Sequence, residues 1–311
     1  MIGILYESDE WSDWKLAHEL EVLLGPDSVC MIDMEGADPV SQALSCDLLV
    51  SRVFASARFR GHERSHAVME RVIAETEAQG IPLINPARAH AFEIDKRLAT
   101  ETLREAGITA PEIIACGSPE ELLQVRVGET AAVEGALPDN SAATNPSLES
   151  WPYPCIIKPN CGGRTTYTAV LHSPSQAHDF LEKAPDLVFI VEEYIEAVKG
   201  FLTRVEVVDG QIALVVKRSV AANGLSSYHE GSTYELYPDV PDAVIDDVLA
   251  AARLLDISFG SFDVIEAASG NFIIDANSVS NVSEDCTDLF KLDLMAVYAQ
   301  ALAARYQRKE S

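Results

Sequence analysis

Apolar and polar positions alternate with two different periods along the first 85 residues. Helical spacing of apolar residues appears at 11–25 and 62–80, and both segments end in glycine. Short apolar runs before, between and after these helices predict four strands, at 2–6, 28–33, 47–53 and 81–85. Strands that alternate with helices predict a parallel sheet covered by helices, which indicates an α/β domain.

The pattern changes in the middle of the chain. A third helix is predicted from Asp95, as its N-cap, to Gly107, with Pro111 as a stop. Residues 127–154 are rich in Ala, Ser, Asn, Pro and Gly and show almost no periodicity. We expect them to form a flexible insertion or linker.

The second half reads as an α+β arrangement with two hairpins. Strands are predicted at 155–160 and 187–195, around a glycine-containing turn into a strand at 161–171 and a helix at 173–184. One hairpin covers 201–220 and turns at Asp209-Gly210, and a second covers 259–277 and turns at Ser269-Gly270-Asn271. Helices are expected at 241–256 and 289–308.

Composition limits the classes of partner. The chain has 311 residues and a formal net charge of −26, which would repel nucleic acid and anionic membrane surfaces. It has no apolar stretch of the ~20 residues that cross a bilayer, and the start lacks the features of a signal peptide. The six cysteines show no metal-binding spacing, so we expect reduced thiols in a cytoplasmic protein.

The second hairpin carries polar residues beside its strand-forming runs. Asp263 and Asp275 should lie at similar height on neighbouring strands, and Asn277 should point to the same face as Asp275. Two carboxylates and an amide oxygen on one face suit a hard divalent cation such as Mg²⁺. An exposed sheet face with solvated acids fits the pattern equally well.

Several basic residues end apolar runs in this acidic chain. They are Lys96 at a helix start, Lys158 after "CII", and Arg204, Lys217 and Arg218 on the first hairpin. Such residues often serve only as solubilising charges. Next to an acidic cluster, they also fit a site for phosphate groups.

Five segments in order resemble the ATP-grasp superfamily, most closely its glutathione synthetase/RimK-like branch, from about residue 47 to the end. The segments are "INPARAHAFEIDK", "YPCIIKPNCGGRTTYT", "FIVEEYI", "LTRVEVVDGQIALVVKR" and "SFDVIEAASGNFIIDANS". The resemblance implies an ATP-grasp fold with a Rossmann-like pre-ATP-grasp domain at 1–92. A small subdomain at 93–198 would include the insertion, and a C-terminal subdomain at 199–311 would hold the metal site.

The resemblance also assigns roles to residues. Lys96 and Lys158 would contact ATP phosphates, and Gly162 and Gly163 would cover them. Arg218 would stabilise the transferring phosphoryl group, with Lys158 beside it, and Arg204 would help to bind a carboxylate. The adenine and ribose would meet the segment Glu192, Glu193, Tyr194, Ile195 and Glu196. Mg²⁺, as one or two ions with Mn²⁺ as an alternative, would be held by Asp263, Asp275 and Asn277.

The implied activity is ligation of a carboxylate to an amine. ATP would activate the carboxylate as an acylphosphate, and an amine from an amino acid or peptide would attack it, with release of ADP and phosphate. Two departures from the family pattern stand out: Asp275 replaces a more usual Glu, and the loop after Lys158 has few glycines. An ATP-grasp kinase acting on a small anionic metabolite, or an ATP-binding module without ligase activity, are the alternatives. A homodimer is common in such enzymes and is a further expectation.

Substrate groups are predicted from two loops. Residues 49–62 contain a basic cluster of Arg52, Arg58, Arg60 and His62, which fits either a solvated loop or a site for an anionic substrate. His229 lies in a loop-like segment after the first hairpin and could line the same cleft. Cys161 is expected to be packed beneath the glycine loop rather than to act as a nucleophile.

Overall fold

Three separate β-sheets organise the chain. The computed structural model describes residues 1–124, 145–221, 223–226 and 231–310. The first sheet is parallel throughout, in the order β2-β1-β3-β4. Its strands are β1 (Ile2–Tyr6), β2 (Val29–Asp33), β3 (Leu48–Arg52) and β4 (Leu83–Ile84). The parallel α/β arrangement predicted for this region is therefore confirmed.

The second sheet is small and antiparallel, in the order β5-β8-β6-β7. Its strands are β5 (Ile113–Gly117), β6 (Cys155–Pro159), β7 (Ala169–Leu171) and β8 (Phe189–Glu193). Leu148 and Trp151 are buried in its core. The predicted flexible insertion therefore extends too far, because its last residues pack against this sheet; residues 127–144 of it lie outside the described residues.

The third sheet contains both predicted hairpins, in the order β11-β10-β9-β12-β13. Its strands are β9 (Phe201–Val208), β10 (Gln211–Ser219), β11 (Tyr234–Leu236), β12 (Phe259–Ala267) and β13 (Gly270–Asn277). Asp209 and Gly210 both have positive φ in the first turn, as a tight hairpin turn requires. The second turn lies earlier than predicted, because Ala267 already pairs with Gly270.

Helices cover the sheets and join them. They are α1 (Trp11–Leu24), α2 (Pro39–Leu44), α3 (Arg64–Gln79), α4 (Ala87–Ile94), α5 (Lys96–Glu105), α6 (Pro119–Leu123), α7 (Pro174–Leu181), α8 (Asp242–Leu254), α9 (Glu284–Phe290) and α10 (Leu294–Glu310). No helix in the described part of the chain is long and apolar enough to cross a membrane.

The hydrophobic cores tie the termini of the chain together. Apolar residues of α10 are buried with those of α1 and the first sheet, whereas α4, α5 and α8 are buried against the third sheet. The last helix was predicted to begin at 289 but begins at Leu294. The reason is that α9 ends at Phe290 and Lys291 adopts a left-handed backbone, which interrupts the helix. The bounds of the three predicted domains stay a prediction.

Asn85 joins the first sheet to the third. Its side-chain amide donates to the carbonyl oxygens of Phe259 and Ser278 at 2.6 and 2.9 Å. Its Oδ1 accepts from the amides of Ser258 and Phe259 at 2.9 and 3.0 Å. Ser258 Oγ also donates to Oδ1 at 3.3 Å, so the buried side chain makes five hydrogen bonds and fixes the edge of the first sheet beside the strands that carry Asp263 and Asp275.

Candidate active site

Two cavities meet at the carboxylates of the second hairpin. The first lies between the second and third sheets, and the second lies between the first-sheet domain, the third sheet and α9. The residues that line both are Gly162, Gly163, Arg164, Thr165, Arg218, Ser226, Asp263 and Asp275. A group bound in one cavity would therefore face a group bound in the other across these residues.

The two carboxylates lie directly opposite each other. Asp263 on β12 pairs in register with Asp275 on β13, as the sequence predicts, and a bulge follows Asp263. Asn277 pairs with Ser261 in the next row of the same face. Asp263 is only 4% exposed, so a solvated sheet face does not describe it.

Cations converge on these carboxylates. Lys96 donates to Asp275 Oδ1, Arg218 donates to Asp263 Oδ2 at 2.9 Å, and Arg204 donates to Asp263 Oδ1 at 3.4 Å. The side chains of Lys96 and Arg218 are 12% and 13% exposed. They are too buried to act as solubilising surface charges.

Lys96 owes its position to the start of α5. Asp95 caps the helix by accepting from the amide of Leu98 at 2.9 Å. Asn160, which follows β6, accepts from the amide of Arg97 at 2.8 Å and donates to Asp95 at 3.0 Å. Lys158 lies on β6, two residues before Asn160. The cap of α5 therefore holds together the two elements that carry Lys96 and Lys158.

Lys158 reaches between two sheets. Its ammonium lies 2.8 Å from Glu192 Oε2 on β8 and donates to the carbonyl of Ile274 on β13 at 3.0 Å. The side chain of Glu192 therefore faces the lysine rather than solvent. Tyr194 and Ile195 line the first cavity, as does Glu193, whose side chain also accepts from the amide of Glu112 at 2.9 Å. Glu196 is exposed beside this segment.

The glycine loop packs against the first-sheet domain. A Cβ on Gly162 would approach the ring of Phe59 to 2.3 Å, so a larger residue there would have to displace this ring. Arg164 donates to Glu10, and the ring of Tyr167 meets Phe59 edge-on with centroids 5.7 Å apart. The loop therefore covers the junction of the two cavities. Its contacts with Glu10 and Phe59 anchor it to the part of the chain that forms the first sheet.

The electrostatics of the site keep its charged groups ionised. Burial opposes the charge on Asp275, but the nearby cations Lys96, Lys158 and Arg204 together outweigh it and lower the pKa of Asp275. Burial likewise opposes the charge on Lys96, and the carboxylate of Asp275 outweighs it and raises the pKa of Lys96. Each group thus stays charged because the other is present.

The donor set fits a hard cation and phosphate groups. Asp263 and Asp275 offer carboxylate oxygens on adjacent strands, and an amide from Asn277 lies one row away. The buried Nδ2 of Asn277 has no hydrogen-bond partner among the described residues, so its amide is not committed to another contact. Two lysines and two arginines, which bind the carboxylates and their neighbours in this state, would be available to anionic oxygens.

The three predicted substrate residues differ in what the structure shows of their contacts. Arg52 is 2% exposed and donates to Asp13, Ser12 and the carbonyl of Ser280, at 2.6, 2.8 and 2.9 Å. These contacts favour a structural role for Arg52. Arg58 is exposed in the 3₁₀ turn at Ala55–Arg60, and His229 lies outside the described residues. Their assignment to the substrate stays a prediction.

Three acidic residues of the site were given no role by the sequence analysis, although Glu93 and Glu206 lie in segments that it quotes. Glu10 binds Arg164 and Arg60, and Glu206 binds Arg204 at 2.8 Å. Glu93 is buried and accepts from the amides of Ala55 and Ser278 at 3.2 and 2.7 Å. The alternation on β9 puts Glu206 and Arg204 on one face, which was the available signal for Glu206.

Comparison with known proteins gives relatives of one kind. No family model matches the chain. A D-alanine–D-alanine ligase from Pediococcus pentosaceus is 27% identical over 168 residues, which are 50% of this chain and 45% of that protein, so the match spans less than half the length of the relative.

Solved structures match over almost the whole chain. A RimK-domain ATP-grasp protein from Sphaerobacter thermophilus superimposes with a TM-score of 0.66 at 18% identity, over 96% of this chain and 98% of that one. The D-alanine–D-alanine ligase from Bacillus anthracis gives 0.65 at 15% identity, over 100% and 99%. The ATP-grasp ligase PsnB with a minimal precursor, Mg and ADP gives 0.62 at 17% identity, over 98% of each chain.

Proposed function

We propose that this chain, which has the ATP-grasp fold, is an ATP- and Mg²⁺-dependent ligase that joins a carboxylate to an amine. The observation that carries the proposal is the junction of the two cavities. A facing pair of carboxylates, Asp263 and Asp275, is contacted there by Lys96, Arg204 and Arg218. At such a junction, charged side chains lie between a bound nucleotide and a second substrate. Phosphoryl transfer requires the negative charge of the phosphate oxygens to be neutralised at this position.

The first cavity would receive ATP. The backbone of Glu192–Ile195 would meet the base, and Lys96, Lys158 and the loop at Gly162 and Gly163 would meet the phosphates. Lys96 and Lys158 are now paired with Asp275 and Glu192, so binding would exchange these ion pairs for contacts with phosphate oxygens. The chain's own carboxylates would then be released to bind a cation.

Asp263, Asp275 and Asn277 would hold Mg²⁺. The ion would neutralise negative charge on the phosphate oxygens as the phosphoryl group is transferred. Asp275 has a shorter arm than the Glu that is more usual in this superfamily, and it is already oriented by Lys96. We propose that the site holds one ion tightly.

The second cavity would receive the carboxylate and the amine. Arg218 is positioned beside Asp263 and fixed by Ser226 Oγ at 2.9 Å, so its guanidinium can stabilise the transferring phosphoryl group. Arg204 lines the second cavity and can bind the carboxylate that is activated. An acylphosphate makes the carbonyl reactive towards an amine, so the protein needs no nucleophile of its own.

The test is an ADP-release screen over amino acids and short peptides, singly and in pairs, with mass spectrometry of the product. We expect ADP release that depends on both a carboxylate and an amine, and a product with an amide bond. ADP release that needs no amine would instead indicate a kinase. Release with no amide product under any pair would contradict the ligase proposal.

The metal site is tested with Asp263→Asn. Loss of one carboxylate at the transfer centre should lower turnover by about 10²-fold or more. Asp288→Asn is the matched control, because Asp288 is exposed on α9 and does not line either cavity. Unchanged turnover in Asp263→Asn would contradict the proposed metal site.

A further inference from the structure

A row of polar side chains lies next to the facing carboxylates of the third sheet. Ser261 on β12 is two residues from Asp263, so both side chains point to the same face of the sheet. Ser261 pairs in register with Glu206 on one side and with Asn277 on the other. Side chains that are paired across strands have Cβ atoms about 5 Å apart, so the polar groups of these three residues share one small space.

Each member of this row has a buried polar atom without a hydrogen-bond partner. These atoms are Glu206 Oε2, Ser261 Oγ and Asn277 Nδ2, and none of them is bonded to any of the described residues. Ser261 is completely buried and Glu206 is 4% exposed. A buried polar group that makes no hydrogen bond is costly. Three such atoms on adjacent strands therefore indicate a small molecule that binds them together.

Tyr298 of α10 covers the row from the side opposite the sheet. Its ring meets Phe259 edge-on with centroids 5.5 Å apart, and Phe259 lies two residues before Ser261 on the same face of β12. Burial and the carboxylate of Glu206 raise the pKa of Tyr298, whereas the amide of Gly260 acts in the opposite direction, so the hydroxyl lies near both. This buried hydroxyl has no partner of normal hydrogen-bond geometry in the described part of the chain, and it adds a fourth polar group to the same space.

The chemistry of the four groups selects water as their ligand. Glu206 Oε2 can only accept a hydrogen bond and Asn277 Nδ2 can only donate one, whereas the two hydroxyls can do either. A cation would be repelled by the N–H groups of Asn277, and an anion would be repelled by the carboxylate of Glu206. A water molecule donates two hydrogen bonds and accepts two, and buried waters typically bind about three otherwise unsatisfied polar groups.

Such a water would act on the transfer centre through the residues that it binds. Asn277 is partly exposed and lines the second cavity, so Oδ1 is its polar atom that can face the cavity when Nδ2 is bound on the buried side. An amide oxygen is the atom that a hard cation binds. At the other end of the row, Glu206 Oε1 accepts from Arg204 Nε at 2.8 Å, so the carboxylate that orients Arg204 would be fixed as well.

We propose that this row binds one internal water molecule, which accepts from Asn277 Nδ2 and donates to Glu206 Oε2, and that the water holds Asn277 in the orientation that binds the metal ion. Glu206 and Ser261 are then positioning residues, because they act on the ion through Asn277. The inference rests on the proposed function, since it takes Asn277 as a metal ligand. Binding of the water itself does not require the ion.

A high-resolution crystal structure of the unmodified chain, without nucleotide or metal, tests the water directly. We expect one ordered water within about 3.2 Å of Asn277 Nδ2, Glu206 Oε2 and Ser261 Oγ. Direct hydrogen bonds among these side chains, with no water between them, would overturn the inference. This result is independent of the metal, of the nucleotide and of catalytic activity.

The role of the water is tested by titration with Mn²⁺, followed by electron paramagnetic resonance, in the presence of a non-hydrolysable ATP analogue. Ser261→Val fills the space of the water, so its affinity for Mn²⁺ should be at least about tenfold weaker than that of the unmodified chain. Ser261→Ala leaves this space and keeps the bonds of the water to Asn277 and Glu206, so its affinity should stay within about threefold.

Ser65→Val is the matched control. Ser65 is also completely buried, but it lies on α3, donates to the carbonyl of His62 at 2.6 Å and lines neither cavity. Its substitution should lower the midpoint of thermal unfolding and leave the affinity for Mn²⁺ unchanged. An equal loss of affinity in Ser65→Val would mean that any destabilised core weakens the site, and this would overturn the role of the water.

Two further results would also overturn this role. One is an unchanged affinity in Ser261→Val, and the other is an equal loss in Ser261→Ala and Ser261→Val, which would assign the effect to the hydroxyl itself. If Ser261→Val does not fold, Ser261→Thr takes its place, because it adds a methyl group to the same space. Failure of the unmodified chain to bind Mn²⁺ with the ATP analogue would instead contradict the proposed function, so the two failures are distinguished.

Discussion

At the residue scale, burial makes the thiol of Cys161 a poor nucleophile. Cys161 begins the glycine loop, and burial raises its pKa from 9.0 to about 11. Its sulfur also lies 3.6 Å from the carbonyl of Ala55, to which it donates. At pH 8 only about one thiol in a thousand would be ionised, which argues against a covalent role.

We therefore predict slow alkylation of Cys161. At pH 8, iodoacetamide should label it at least about tenfold more slowly in the folded chain than in the denatured chain, because only the thiolate reacts. Peptide mass spectrometry measures both rates. The labelling rate of Cys286 is measured in the same sample for comparison. Equal rates at Cys161 in the two states would contradict the structural position assigned to it.

Charged residues that belong to a recognisable segment can be proposed for the site from sequence, whereas the contacts of the other charged residues depend on partners distant in sequence. Lys96, Lys158 and Asp263 each stand in a recognisable segment, and the structure brings them to one junction. Arg52 stands in an equally basic segment but is buried against Asp13, 39 residues away in sequence. A pairing over that distance leaves no local pattern, so the sequence could not distinguish a binding arginine from a structural one.

At the element scale, the glycine loop is anchored by a residue of another domain. Residues Arg164, Thr165 and Tyr167 have positive φ, which non-glycine residues adopt only when surrounding contacts hold them. Glu10 supplies such a contact by accepting from Arg164 and from Arg60. Burial would raise the pKa of Glu10, but the Arg164 guanidinium outweighs it and lowers the pKa, so the anchor is charged at neutral pH.

Removal of this anchor should loosen the loop. In Glu10→Gln we expect trypsin to cut after Arg164 several-fold faster than in the unmodified chain, because the loop loses its ion pair and its strained conformation is no longer held. Electrophoresis and mass spectrometry of the fragments give the rate. Glu21→Gln, an exposed change on α1, is the control, and equal rates in the two variants would show that Glu10 does not hold the loop.

The elements with strong local patterns were predicted, including the eight-residue helix α7, whereas four other short helices were not. Both hairpins, α1, α3, α5 and α8 are present close to their expected bounds. The short helices α2, α4, α6 and α9 were missed, although Ser118 and Glu121 form a capping box at α6 that is visible in sequence. Helices of five to eight residues have too few turns for periodicity to appear, and their stability comes from packing.

At the scale of the whole molecule, Asn85 connects the first sheet to the strands of the site. Its replacement by Ala would leave the carbonyls of Phe259 and Ser278 and the amides of Ser258 and Phe259 without their partner. We expect the free energy of unfolding to fall by about 2–4 kcal/mol, because these groups are buried.

Thermal unfolding of Asn85→Ala and of a control checks this expectation. The control is Asn271→Ala, since Asn271 is half-buried and donates once, to Asp247 at 3.0 Å. Its cost should be below about 1 kcal/mol. A midpoint for Asn85→Ala equal to that of the control would show that the connection between the sheets does not depend on Asn85.

The sequence by itself determined the longer helices, the two hairpins and the facing positions of Asp263 and Asp275. These depend on periodicity and turn residues, which act over a few positions. Only the tertiary structure decided which charged side chains are paired with each other. Arg52 and Arg60 are neutralised by Asp13 and Glu7, because partners distant in sequence meet only when the three sheets assemble.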